Sequence, residues 1–155
     1  MALMLTAEVP STIASRDLLG GVVAGLCQTL AREHGIEGLD ADVLTAFNEA
    51  FNNVVIHAYD GLAGQVHLEL AVDEGSLVIK LLDSGRPFRL EDIQPPAFAG
   101  GDALAIDDLP EGGMGVYLMR AVMDDVCYVA ASSHGDRNCL TMIKRFNQPT
   151  GNGAR

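Results

Sequence analysis

The stretch Ala46-Phe-Asn-Glu-Ala-Phe-Asn-Asn-Val-Val-Ile-His-Ala-Tyr59 carries two faces of different chemistry. At about 100° per residue, Phe47, Phe51, Val54, Val55 and Ala58 form one apolar stripe, and Glu49, Asn52 and Asn53 gather opposite it. The apolar side predicts a helix packed on a sheet. The polar side sets a carboxylate and two carboxamides within one turn, and Glu49 and Asn53, four apart, are neighbours on the helix surface. A carboxylate there can accept a proton. A carboxamide oxygen can ligate a hard cation such as Mg²⁺, which takes few protein oxygens beside phosphates and waters. A Glu and two Asn on a helix ordinarily form a solvated face, but two details oppose that here. Asn52 and Asn53 in mid-helix each cost roughly a few tenths of a kcal/mol relative to Ala. Ile56 stands in the middle of the polar side, which predicts that something other than bulk water covers it.

Outward from this helix, Asp40 is a plausible N-cap and Asp60-Gly61 a stop, giving a predicted span of 40–59. Before it, residues 4–9 read as a strand ending at Pro10. Ser11 or Ser15 can then cap a helix to His34, with Leu18, Leu19, Val22, Val23, Leu26 and Leu30 at helical spacing despite Gly20, Gly21 and Gly25. After it, residues 65–72 alternate Val66, Leu68, Leu70 and Val72 against polar neighbours, the pattern of a half-buried strand. Residues 77–82 are apolar except for Lys80, as in an interior strand, with Lys80 a solvent-facing stem, and the run exits at Asp83-Ser-Gly85.

From 86 to 113 Pro87, Pro95, Pro96 and Pro110 are interleaved with Gly100, Gly101, Gly112 and Gly113, and no period emerges. A structureless segment of that length predicts a lid. Gly112-Gly-Met-Gly115 then opens a helix marked by Val116, Leu118, Met119 and Val122, and a start rich in unhindered N–H groups favours phosphate. Strands at 126–131 and 139–146 close the pattern, and 147–155 reads as a frayed tail. The order predicts an α+β fold, a two-layer sandwich with a mostly antiparallel sheet and helices on one face, in a single domain over 1–146.

Composition narrows the partners. With 155 residues and 48% hydrophobic content the chain suits one domain, and 10 basic against 21 acidic residues, a net charge of −11, argue against nucleic acid or an anionic membrane. Cys27, Cys127 and Cys139 show no CxxC spacing, so neither a disulfide framework nor a zinc site is indicated. The apolar residues 1–6 are too few and uncharged for a signal peptide, and the expected compartment is the cytoplasm.

Three signals occur in one order: Glu49-x-x-x-Asn53 on a helix, Asp83-x-Gly85 leaving a strand, and Gly113-x-Gly115 opening a helix. The last lacks the preceding strand and third glycine of a dinucleotide fingerprint, and the chain has no GxxxxGK[ST] phosphate loop. Together the three resemble the N, G1 and G2 boxes of the Bergerat-fold (GHKL) ATPases, over about residues 39–146. Residues 48–59, 83–88 and 109–118 are most similar to the anti-sigma-factor serine kinases within that superfamily.

The resemblance implies a protein that binds ATP and Mg²⁺, sequesters a sigma factor and phosphorylates a serine of a STAS-domain anti-sigma-factor antagonist, usually as a homodimer. It implies Glu49 as the catalytic base, Asn53 as the Mg²⁺ ligand, Asp83 as acceptor for the adenine amino group, and Gly85, Gly113 and Gly115 as close approaches to the nucleotide. Pro110 and Glu111 stand where some members carry an arginine, leaving Arg86, Arg89 and Arg120 as candidates to face the terminal phosphate. Many relatives place Thr near the start of the last strand, close to adenine, where this chain has Cys139 followed by Thr141. Two alternatives remain: a non-catalytic sigma-factor-binding module that uses ATP to set its shape, and the catalytic domain of a histidine kinase.

Overall fold

Phe47 and Phe51, one turn apart, are fully buried with ring centroids 5.8 Å apart, and the chain's helical layer is built around them. Burying each aromatic side chain stabilises the fold by about 1.5–3 kcal/mol. Their helix, α2 (Leu39–Asn53), runs into a π-helical turn at Val54–Ala58, so the expected single helix is divided immediately after Asn53. The apolar stripe is as expected: Val54 and Ala58 are also buried. Ile56, by contrast, is 54% exposed. The N-cap of α2 is Gly38, in the left-handed region, and Asp40 lies in the first turn, where its charge favours the helix dipole without a capping bond.

The computed structural model describes residues 2–88, 114–133 and 135–146. The predicted lid from residue 89 on, Gly113, Arg89 and the tail lie outside the described residues.

Strand β1 (Leu3–Pro10) leads into α1 (Ile13–His34), capped by Thr12, whose hydroxyl accepts from the Ser15 amide. Neither Ser11 nor Ser15 is the cap. Beyond α2 come β2 (Gln65–Val72), β3 (Ser76–Asp83), α3 (Met114–Val122), β4 (Asp125–Val129) and β5 (Asn138–Arg145). The five strands form one antiparallel sheet in the order β1-β2-β3-β5-β4.

Alternation decides which side of the sheet the helices cover. Val66, Leu68, Leu70 and Val72 of β2 and Leu77, Ile79 and Leu81 of β3 are buried, and they join Leu140 and Met142 of β5 in one core with residues of α1, α2 and α3. Lys80 points the other way with its side chain 44% exposed, near Glu69 at 3.9 Å. The fold is therefore α+β with helices on one face of the sheet.

In α1 only half of the expected stripe is core. Leu19, Val23, Cys27 and Leu30 are buried, whereas Leu18 is 68% and Val22 40% exposed. The helix turns Gly20 toward α2, where an added Cβ would meet Leu44 at 3.3 Å. Close approach through that small residue sets the inward face.

The sheet also anchors the far end of α3. Lys144 of β5 donates from Nζ to the Val122 carbonyl at 2.6 Å and lies 3.8 Å from Asp42 of α2. A cation on the last carbonyls of a helix favours its dipole.

Candidate functional site

The Glu49 carboxylate and the opening of α3 meet directly. A Cβ built on Gly115 would lie 2.7 Å from Glu49 Oε2, so only a residue without a side chain leaves the carboxylate where it is. Two signals 66 residues apart in the chain thus close on one point, the start of a helix, where the helix dipole favours anions. The conflict in a Gly115→Ala variant is with the movable end of a side chain, not with backbone. That variant is expected to keep its melting temperature while displacing the carboxylate, and an error of about 1 Å in such a group costs on the order of 10²-fold in rate. Thermal melting and a phosphoryl-transfer assay check the two halves separately.

One turn on, Asn53 Nδ2 is buried and has no hydrogen-bond partner among the described residues. A buried amide without a partner costs roughly 1–3 kcal/mol, a cost that a bound group would remove. A half-turn of the amide exchanges its nitrogen and oxygen, so the same position offers either a donor or a neutral oxygen ligand. The π-helical turn follows at once, a feature frequent at functional sites.

A second cluster forms at the exit of β3. Asp83 is 2% exposed, and its Oδ1 accepts from the Gly85 amide at 2.9 Å and from Asn138 Nδ2 at 3.0 Å. Burial pushes the carboxyl of Asp83 above the usual carboxylate range, and the Asn138 and Gly85 hydrogen bonds pull it back in part. Gly85 lies flat against the π-helical turn: an added Cβ would fall 2.5 Å from the Ala58 carbonyl oxygen, and the same oxygen accepts from the Arg86 amide at 2.7 Å. The Asp83-Ser-Gly85 turn is thereby joined to the segment that begins right after Asn53.

Tyr59 closes this corner, its hydroxyl accepting from the Ser84 amide at 2.9 Å and donating to the Gln65 carbonyl at 2.7 Å. On the far side Phe88 stacks on Tyr128 at 4.1 Å between ring centroids.

Glu49 and Asn53 thus lie on α2, Gly115 meets Glu49, Gly85 packs on the π-helical continuation, and Asp83 is joined to them through its bond from the Gly85 amide. Asn52 does not join them. It turns toward α1, where its Oδ1 accepts from Arg16 Nη1 at 2.8 Å. His57 is exposed. Among the candidate cations, Arg86 is exposed beside the Asp83 turn, and Arg120 falls in the last turn of α3. At 1.5 Å rise per residue Arg120 stands about 8 Å along the axis from Gly115.

Sequence reading missed Asn138, Arg16 and Tyr59. Asn138 is fully buried at the first position of β5, paired with Asp83 in the register, and it rather than Cys139 or Thr141 touches the acidic residue. Cys139 and Thr141 contact each other at 3.7 Å.

A carboxylate at a helix start, an unsatisfied carboxamide one turn away and a buried carboxylate at a strand exit thus occur together in an α+β fold with helices on one face of an antiparallel sheet. The chain belongs to the histidine kinase-like ATPase domain family, whose profile matches residues 14–144. Among characterised proteins it is similar to three called serine-protein kinase RsbW. That of Bacillus licheniformis is 38% identical over 87 residues, covering 55% of this chain and 54% of the relative. That of Oceanobacillus iheyensis is 35% identical over 86 residues, and that of Bacillus pumilus 39% over 88, with the same shares of 55% and 54%. The chain spans about half the length of these relatives. No described helix is long and apolar enough to cross a membrane.

Proposed function

We propose that this chain, over a single domain spanning residues 1–146, is an ATP-dependent protein serine kinase that also acts as an anti-sigma factor. The observation that carries the reading is the contact between Glu49 and Gly115, which sets a proton acceptor at the opening of a phosphate-favouring helix. The names of the similar proteins, each a serine-protein kinase, support the same class of reaction.

In this reading Asp83 accepts the amino group of adenine through its second oxygen, and Gly85, Gly113 and Gly115 let backbone approach the nucleotide. Asn53 holds Mg²⁺, a fit supported by its unpartnered buried amide. Among the described residues no cluster of three or more His, Cys, Asp or Glu could hold a metal. A cation held by one carboxamide plus phosphates and waters suits that donor set. When bound, Mg²⁺ neutralises charge on the phosphates. Glu49 orients and deprotonates the hydroxyl of a serine presented by the partner, and phosphoryl transfer asks little else of the protein than positioning.

The partners proposed are a sigma factor, held without transfer, and a STAS-domain antagonist that supplies the serine, in the cytoplasm and without direct contact to nucleic acid or membrane. A homodimer is supported by the sheet edge: β1 lies at its rim with Leu3 50%, Met4 68% and Leu5 37% exposed.

The test is incubation of the protein with γ-labelled ATP, Mg²⁺ and a STAS-domain antagonist. Label on a partner serine is the expected result. Normal nucleotide and sigma-factor binding without transfer would leave a non-catalytic binding module instead.

A further inference from the structure

We propose that Asn138 is a positioning residue for base recognition, which fixes the Asp83 carboxylate in one orientation so that its second oxygen selects a 6-aminopurine over a 6-oxopurine. The inference rests on the nucleotide-binding reading of the site and assigns a specificity determinant within it.

The geometry is closed around Asn138. Its two amide hydrogens go to Asp83 Oδ1 at 3.0 Å and the Gly85 carbonyl at 2.9 Å, and its own oxygen accepts from the Ala131 amide at 2.9 Å. Two segments distant in sequence, the β3 exit with its glycine turn and the chain after β4, are tied to one fully buried side chain. No other residue type of this size provides two donors and an acceptor at once. Ser or Thr supplies one donor, Asp would set a second carboxylate against the first, and Leu supplies none.

Both bonds to Asp83 among the described residues fall on Oδ1. The carboxylate cannot rotate without breaking them, and Oδ2 is left to face a ligand as a pure acceptor. An adenine amino group donates to such an oxygen, whereas guanine presents a carbonyl oxygen at the same position and is repelled. Selection holds only while Asp83 is ionised, since a protonated carboxyl can donate to that carbonyl. Donors on the charged form lower a carboxyl pKa, and burial raises it. Without Asn138 the balance at Asp83 moves toward protonation.

Among the described residues, the ionisable groups near Asp83 include Tyr128, Tyr59 and Arg86. Tyr128 of β4 titrates above its ordinary value because of burial and the Asp83 charge, Tyr59 contributes a hydroxyl held by Ser84 and Gln65, and Arg86 is exposed. β2 presents Val66 opposite Asp83.

The experiment compares ATP and GTP binding by calorimetry between pH 5.5 and 8 for the parent protein, Asn138→Leu and Asn138→Ser, with thermal melting as the check on folding. The parent is expected to prefer ATP throughout. Asn138→Leu is expected to bind ATP about tenfold more weakly at pH 8, the loss of one hydrogen bond to a charged group, and to lose its preference over GTP as the pH falls. Asn138→Ser is expected to lie between. If a folded Asn138→Leu, or Asn138→Ser should Leu not fold, keeps the parent's preference and pH profile, Asn138 is merely structural and the proposal is overturned. A parent protein that binds neither nucleotide would overturn the reading of the site itself.

Discussion

A Glu49→Gln variant is expected to lose phosphoryl transfer to a serine-bearing partner by a factor of about 10²–10⁴, the range for removing a positioned general base. Its affinity for ATP should stay near that of the parent. Gln keeps the shape of Glu, so the approach of Gly115 is undisturbed and the opening of α3 stays where it is. Only the proton acceptor is gone. A single-turnover assay read beside calorimetric ATP binding separates the two effects, and an equal loss in both would mean that Glu49 serves binding and not chemistry.

Asp83→Asn is expected to act in the opposite way, on binding first. In the proposed site the carboxylate oxygen assigned to the adenine amino group becomes an amide whose hydrogens point at another donor, and ATP affinity should fall on the order of 100-fold. The unliganded fold should respond with the other sign. The folded-state pKa of Asp83 is raised above 3.8, so the contribution of this group to stability is fully present below pH 3.8 and lost as the pH rises through the raised value. At neutral pH the ionised Asp83 therefore costs stability. The neutral, isosteric Asn avoids that cost while still accepting from Asn138 and Gly85, so the variant should melt above the parent at pH 7, with the difference vanishing in acid. A residue that weakens the fold and serves the ligand is the usual signature of a binding site.

The parts legible in the sequence are those governed by local period. The alternation of β2 and the near-continuous apolar run of β3 located both strands, because side-chain direction in a sheet repeats every two residues. The helical stripe of Phe47, Phe51, Val54 and Ala58 likewise announced its burial. What periodicity could not give was decided by tertiary contact. Leu18 and Val22 kept helical spacing yet face outward, since α1 presents Gly20 to α2. The π-helical turn after Asn53 has no sequence period of its own, and the Ala58 carbonyl within it receives the Arg86 amide from a distant turn.

The site divides in the same way. Glu49 and Asn53 were readable because four residues make one turn, and Asp83 and Gly115 because a strand exit and a helix opening leave marks in the chain. Asn138 left none. Its part depends on the register that pairs it with Asp83 across 55 positions. Asn52 was grouped with Asn53 by helical angle, and only the position of Arg16 on α1 shows that it looks the other way.

The most direct test of the account is a nuclear magnetic resonance titration of the isotope-labelled protein with Mg²⁺ and a non-hydrolysable ATP analogue. The side-chain amide of Asn53 and the backbone amides of Gly85 and Gly115 are expected to shift together, saturably and at one ligand concentration, with the Asn138 side-chain amide following. Saturable binding that moved resonances elsewhere and left those of Asn53, Gly85 and Gly115 in place would contradict it.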